Sequence, residues 1–286
     1  MTEGRAAPAA AAGQGAEQGS RNLLVRVAAA LVLAPLAIAA AYAGGWWWIV
    51  LVSCAAIGLF VEWLTVVGSA RETAVIATGG IALAIAGLCL GFARVELALA
   101  ALGLGVAVTA LLSSRQRGWT SAGFFYAGAA QMASVLVRLD AATGFVALVF
   151  VMLIVWVTDI GGYFAGRGIG GAKLWPRVSP NKTWAGAIGG FGASLVVALG
   201  FATLDLGRAY QLAGLAAMLS VIAQLGDLLE SAVKRRFGVK DSSHIIPGHG
   251  GLMDRLDGYV AAIAVAAIFG LLRGGVDGAG RGLMIW

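Results

Sequence analysis

Between residues 226 and 258 the chain reads GDLLESAVKRRFGVKDSSHIIPGHGGLMDRLDG, and most of its chemistry is gathered there. Asp227, Glu230, Ser231 and Lys234 fall at i, i+3, i+4 and i+7, which is one face of a helix. Asp254 and Asp257 stand one helical turn apart. If the two helix ends converge, Asp227 and Asp254 supply hard oxygen ligands for Mg²⁺, with waters and substrate phosphates completing its shell. Lys234, Arg235, Arg236, Lys240 and Arg255 are cations suited to holding polyanions. Between them runs Pro247-Gly248-His249-Gly250-Gly251, where glycines let backbone N–H groups approach phosphate oxygens. A second reading stays open on the charges alone: a solvated basic loop with acids paired to it.

A second polar segment, WVTDIGGYFAGRGIGGAKLWPRVSPNKTWAGAIGG, covers 156–190. Asp159 sits at the end of an apolar run, where an acid is a functional candidate by default. Ser179, Lys182 and Thr183 offer hydroxyls and an ammonium just before the next apolar run. A helix N-terminus there favours an anion, and the same hydroxyls suit a plain helix cap. Gly166, Gly168 and Gly171 satisfy Gly-x-Gly-x-x-Gly but follow a membrane helix rather than a strand, which argues against the dinucleotide fingerprint. Glu62, near the end of another apolar run, reads as a satisfied interfacial acid, and His244 as an ordinary loop residue.

The elements that must position these residues are membrane helices. Of the 286 residues, 60% are hydrophobic and 12% charged, against roughly 25% charged in soluble domains. Apolar blocks run from about Asn22 to Ala43, then near 46–66, 73–92, 95–113, 120–138, 143–165, 184–204, 208–228 and 257–273. Each is near the roughly 20 residues that cross a bilayer. The expected fold is an all-α integral membrane protein, a polytopic bundle of about nine transmembrane helices. The block at 120–138, with Gln131, is the weakest and is expected to pack inside the bundle or break. Residues 1–21 read as a disordered cytoplasmic tail, 22–138 as N-terminal transmembrane helices, and 139–286 as a catalytic region with loops at 166–183 and 229–256. The first block is long for a signal core and is read as retained. Most of the 43 glycines lie inside apolar runs, where small residues let helices approach. Cys54 and Cys89 have no metal-ligand spacing and read as core packing.

With a cytoplasmic N-terminus, only Arg94, Arg138, Arg208, Arg273 and Arg281 of the 20 basic residues fall on the outer side. That asymmetry follows the positive-inside rule and places both polar loops in the cytoplasm. It also accounts for the net charge of +6 without a nucleic-acid partner. Trp46, Trp47 and Trp48 then fall at the outer interface.

The series Ser231, Lys234, Arg235, Lys240, Asp241, His249, Gly250, Gly251, Asp254, Arg255 and Asp257 closely resembles the signature of the phosphatidate cytidylyltransferase family. The lead-in Gly226-Asp227 to Glu230 and the elements around Asp159, Arg167 and Ser179 to Thr183 are similar to that family too. The sequence departs from the pattern at Gly162, where Ala is usual, and at Ala185, where many members have Glu. The resemblance covers about residue 143 to the C-terminus. It implies that CTP and phosphatidic acid yield CDP-diacylglycerol and pyrophosphate, in a bacterial inner membrane and with a homodimeric enzyme. It implies Mg²⁺ at Asp227 and Asp254, supported by Asp257 and Glu230, and allows a second cation such as K⁺. Catalysis is then expected from Asp227, Asp254, Lys234 and His249, and substrate binding from Ser179, Lys182, Thr183, Ser231, Arg235, Lys240, Asp241, Gly250, Gly251 and Arg255. A CTP-dependent lipid-alcohol kinase and a transporter are the alternatives. Acids gathered at one face rather than along a pore argue against transport.

Overall fold

A computed structural model describes residue 32, residues 34–243 and residues 250–286. The proposed tail, the start of the first apolar block, His244 and His249 lie outside the described residues. Within them the chain is helical: α1 (Ala34–Ala43), α2 (Gly45–Val66), α3 (Thr73–Gly91), α4 (Val95–Leu112), α5 (Arg117–Leu139), α6 (Gly144–Ile169), α7 (Trp184–Thr203), α8 (Ala209–Arg236), α9 (Met253–Gly274) and α10 (Ala279–Met284). Helices α2 to α9 are eight segments long and apolar enough to cross a membrane. The all-α polytopic fold is therefore as expected, and α1 is the described part of the first apolar block.

Most boundaries match the hydropathy blocks, and the differences concern the polar segments. Helix α6 continues to Ile169 and α8 to Arg236, while α9 begins at Met253. The loops placed at 166–183 and 229–256 are correspondingly shorter. Hydropathy ends a block where charge begins, but intrahelical hydrogen bonds carry the helix on past the apolar stretch. The segment after α6 is not a loop but a two-stranded antiparallel hairpin, β1 (Lys173–Trp175) with β2 (Ser179–Thr183).

Helix α5 does not break. It is 23 residues long and mostly buried, and Gln131 donates to Ser53 Oγ at 2.8 Å and to the Leu83 carbonyl at 3.0 Å. Neighbouring helices thus satisfy both protons of its amide nitrogen, while its buried Oε1 accepts no hydrogen bond. Cys89 packs partly against the core as expected, but Cys54 is exposed. Lipid is as apolar as a core, so an apolar block does not dictate which face is buried. Trp46 and Trp47 are exposed at one end of the bundle, whereas Trp48 turns inward and donates to the Ser134 carbonyl.

Two helix seams rely on glycine. Between α6 and α7, a Cβ on Gly186 would lie 2.8 Å from the Gly162 carbonyl oxygen, and one on Gly190 would overlap the Thr158 carbonyl. Between α8 and α9, a Cβ on Gly226 would lie 2.8 Å from the Asp257 carbonyl oxygen. These close approaches bring the polar ends of α6, α7, α8 and α9 together. Because successive helices alternate in direction and pack on one another, the ends of α2, α4, α6 and α8 gather with the starts of α3, α5, α7 and α9. Among the described residues, Arg94, Arg138, Arg208, Arg273 and Arg281 lie at the opposite end, and every other Lys or Arg lies at this one.

Candidate functional site

At the charged end, two lysines organise the acids. Lys182 leaves β2 and pairs with Asp227 of α8. Lys234, two turns further along α8, lies 2.8 Å from Glu230 Oε1 and 2.5 Å from Asp254 Oδ1 of α9. The i, i+4 spacing read from the sequence accounts for the first of these contacts, and the α8–α9 seam for the second. Ser231 Oγ donates to Asp227 Oδ1 at 3.4 Å. The face Asp227–Glu230–Ser231–Lys234 is thus a single charged stripe, as its spacing predicts.

Asp254 is held from all sides. Its Oδ2 accepts from the backbone N–H of Gly251 at 2.9 Å, the N–H of Ser242 at 3.1 Å and the Ser242 hydroxyl at 3.1 Å. Asp257, one turn on, accepts from the N–H of Gly258 at 2.6 Å. It stands near enough to Asp227 and Asp159 for the three charges to oppose one another. Glu230 is buried, and its Oε2 accepts no hydrogen bond. Among the described residues, no group of three or more His, Cys, Asp or Glu side chains forms a metal-binding cluster.

A groove of about 540 Å³ opens beside this stripe, between α6, the hairpin, α7 and α8. Its polar wall carries Asp159, Arg167, Asn181, Lys182, Gln224 and Asp227. Exposed Ile160, Phe164 and Ile188 lie on the same two helices, α6 and α7. One end of the groove is therefore polar and charged, and its helices present apolar side chains outward.

Other residues singled out from the sequence take several places. Thr183 caps α7, its Oγ1 accepting from the Gly186 N–H at 3.0 Å, so the cap reading holds for it. It also lines the groove, beside Lys182. Ser179 is half-buried in β2. Arg235 reaches the carbonyls of Val178 and Val239, each at 3.4 Å, and ties the hairpin to the end of α8. Lys240, Asp241 and Arg255 are exposed. Gly250 adopts φ +79° beside Asp254, a left-handed conformation that favours glycine.

The feature that sequence reasoning missed is what Glu62 does. Satisfied it is, but not by bulk interfacial water. Its carboxylate, in the last turns of α2, is fully buried and accepts four hydrogen bonds from the C-terminal half of the chain. The donors are the hydroxyls of Ser242 at 3.1 Å and Ser243 at 2.6 Å, and the N–H groups of Leu252 at 2.8 Å and Met253 at 2.7 Å. The only signal in the sequence was an acid near the end of an apolar span, a position that demands a partner without naming it.

Fold and site together define a polytopic helical membrane protein whose chemistry sits at one end of the bundle, with two lysines set among crowded acids beside a groove. A family model described as the cytidylyltransferase family matches residues 24–272. The phosphatidate cytidylyltransferase of Brucella suis biovar 1 (strain 1330) is 42% identical over 257 residues, 88% of this chain and 94% of that protein. The enzyme of the same name from Brucella melitensis biotype 1 is equally similar over the same span. That of Staphylococcus aureus (strain COL) is 46% identical over 124 residues, 42% of this chain and 47% of that protein. The chain belongs to the cytidylyltransferase family.

Proposed function

We infer that this protein is a phosphatidate cytidylyltransferase, converting CTP and phosphatidic acid into CDP-diacylglycerol and pyrophosphate. The observation that carries this reading is the pairing of Lys182 and Lys234 with acids of α8 and α9 beside a groove between apolar helices. A lipid phosphate and a nucleotide triphosphate both need cations, and the lipid also needs a membrane-level entrance. The names of the similar Brucella and Staphylococcus proteins agree with it.

In the proposed reaction a phosphate oxygen of phosphatidic acid attacks the α-phosphorus of CTP. A new P–O bond forms, the bond from the α-phosphorus to the oxygen bridging to the β-phosphorus breaks, and pyrophosphate leaves with that electron pair. The nucleophile is already an anion, so no strong base is required. The barrier is the approach of like charges, which fixed cations lower by positioning and neutralisation. Lys182, with Arg167 and Asn181 beside it, takes the lipid phosphate in the groove. Lys234 and the backbone around Gly250 and Gly251 take the CTP phosphates, with Lys240, Arg255 and His249 as further contacts.

The donor set fits a divalent cation in its chemistry. Glu230 keeps a buried carboxylate oxygen without a hydrogen bond, and Asp257 stands within electrostatic reach of Asp227, whose own partner is Lys182. Such an excess of hard oxygen atoms suits Mg²⁺ completed by waters and phosphates. Asp227 and Asp257 would hold it. Asp254 would join them only where Lys234 turns from it to a phosphate, because both its oxygens are otherwise engaged. When bound, the ion neutralises charge on the reacting phosphates.

The charged end would face the cytoplasm of a bacterial inner membrane. The gathering of basic residues at that end supports this orientation, and CTP is a cytoplasmic substrate. The test is a product assay on detergent-purified protein with cytosine-labelled CTP, phosphatidic acid and Mg²⁺. Label in the lipid phase together with released pyrophosphate is expected. Transfer of γ-label instead would replace this reading with a lipid kinase.

A further inference from the structure

We propose that Glu62 is a positioning residue for the nucleotide-binding end of the site, acting through the loop between α8 and α9; this rests on the functional reading above. Helix α2 belongs to the N-terminal half, which carries none of the signature residues. Yet its Glu62 carboxylate anchors that loop at Ser242 and Ser243 and again at the start of α9.

Two of its bonds are to the N–H groups of Leu252, the residue that precedes α9, and Met253, its first. The first N–H groups of a helix have no intrahelical partner and carry partial positive charge. Helix α9 has no side-chain cap of its own at Leu252, and Glu62 does that work from another helix. The other two bonds are to the hydroxyls of Ser242 and Ser243, within the loop. One buried carboxylate therefore holds Ser242 and Ser243 against the start of α9.

The link to the chemistry is short. Ser242 Oγ lies 3.1 Å from both Glu62 Oε2 and Asp254 Oδ2, so its single proton is shared between them. Asp254 in turn holds Lys234. A continuous series of contacts thus runs from Glu62 through Ser242 and Asp254 to Lys234. Gly251 is confined by the same contacts: a Cβ there would overlap Ser242 Oγ and lie 2.6 Å from Glu62 Oε2. Glu62 does not line the groove of α6, the hairpin, α7 and α8. Its influence should reach CTP and not the lipid.

The test is Glu62→Gln in the full-length enzyme, with KM measured separately for CTP and phosphatidic acid. An amide keeps the volume but loses the charge and much of the acceptor capacity. The KM for CTP should rise roughly ten- to a hundredfold, as expected for one or two weakened charge-assisted hydrogen bonds, while that for phosphatidic acid stays within about twofold. Hydrogen–deuterium exchange should quicken at Ser242, Ser243 and Gly251 to Met253 and stay unchanged in the β1–β2 hairpin. An equal rise in both KM values, or a lower melting temperature with unchanged kinetics, would overturn the proposal. So would unchanged exchange at those residues. If Glu62→Gln does not purify folded, Ser242→Ala tests the same link and should raise only the KM for CTP, by a few-fold. A wild type without cytidylyl transfer would sink the functional reading, and the exchange measurement would still decide on Glu62.

Discussion

Asp140 and Asp254 sit at opposite ends of the bundle, and each accepts hydrogen bonds from backbone N–H groups. Asp140, at the end of α5, accepts from Ala142 at 3.0 Å, Thr143 at 2.9 Å and Arg281 at 3.1 Å. It binds the start of α6 to α10 and leaves the carboxylate with neutral backbone donors. Asp254 receives similar backbone bonds, but it also faces Lys234, and Lys234 is shared with Glu230. At one end a carboxylate is satisfied by the fold alone. At the other, acids outnumber the lysines that hold them, and the arrangement has capacity left for a substrate phosphate or a cation. The difference separates an acid that joins elements from one that also belongs to a reactive site.

The largest break in this contrast should come from Lys234→Met. Removing the cation leaves Glu230 and Asp254 facing each other without compensation, a loss of about 3–5 kcal/mol where the pair is well buried. Both turnover and thermal stability in detergent should fall, measured by product formation and a melting curve. Asp254→Asn should separate the two effects. Lys234 keeps Glu230 as a partner, so the protein should stay folded while kcat drops about 10²- to 10³-fold. Near wild-type turnover would remove Asp254 from the reaction. Lys182→Ala should act more weakly on stability, because its pair with Asp227 is about a quarter exposed. The readout is the KM for phosphatidic acid, expected to rise about tenfold, with that for CTP little changed.

The smallest effect on activity is expected at the opposite end. Asp140→Ala should cost about 1 kcal/mol of stability by removing its hydrogen bonds to part-buried N–H groups, with kcat unchanged. Burial alone would raise the Asp140 pKa, but the backbone bonds from Thr143, Ala142 and Arg281 outweigh it and hold the pKa below its ordinary value. A depressed carboxylate pKa stabilises the fold above the unfolded pKa of about 3.9. That stabilisation is complete at neutral pH and is lost as pH falls through the folded value. Melting curves between neutral pH and about pH 3 should therefore show a steeper acid loss in wild type than in Asp140→Asn. Parallel curves would assign the acid sensitivity to other groups.

Much of this molecule was legible in its residues. Apolar blocks of bilayer length specify the spans α2 to α9, because lipid leaves the backbone no partner but its own helix. The i, i+4 rule accounts for Glu230 beside Lys234, and the stripe on α8 needs no tertiary information. The order of residues from Ser231 to Asp257 was enough to indicate the family. What local rules could not supply is contact between distant segments. The β1–β2 hairpin was hidden because two short polar strands leave no hydropathy signature. The capture of Asp254 by Lys234, and of Ser242, Ser243 and the start of α9 by Glu62, depends on how helices from both halves pack. Glycines such as Gly186 and Gly226 were visible as small residues, but only the packed seams show which carbonyl each one approaches. Periodicity and hydropathy report on one element at a time, whereas a carboxylate's partners are decided by burial, which obliges it to find donors wherever the bundle brings them.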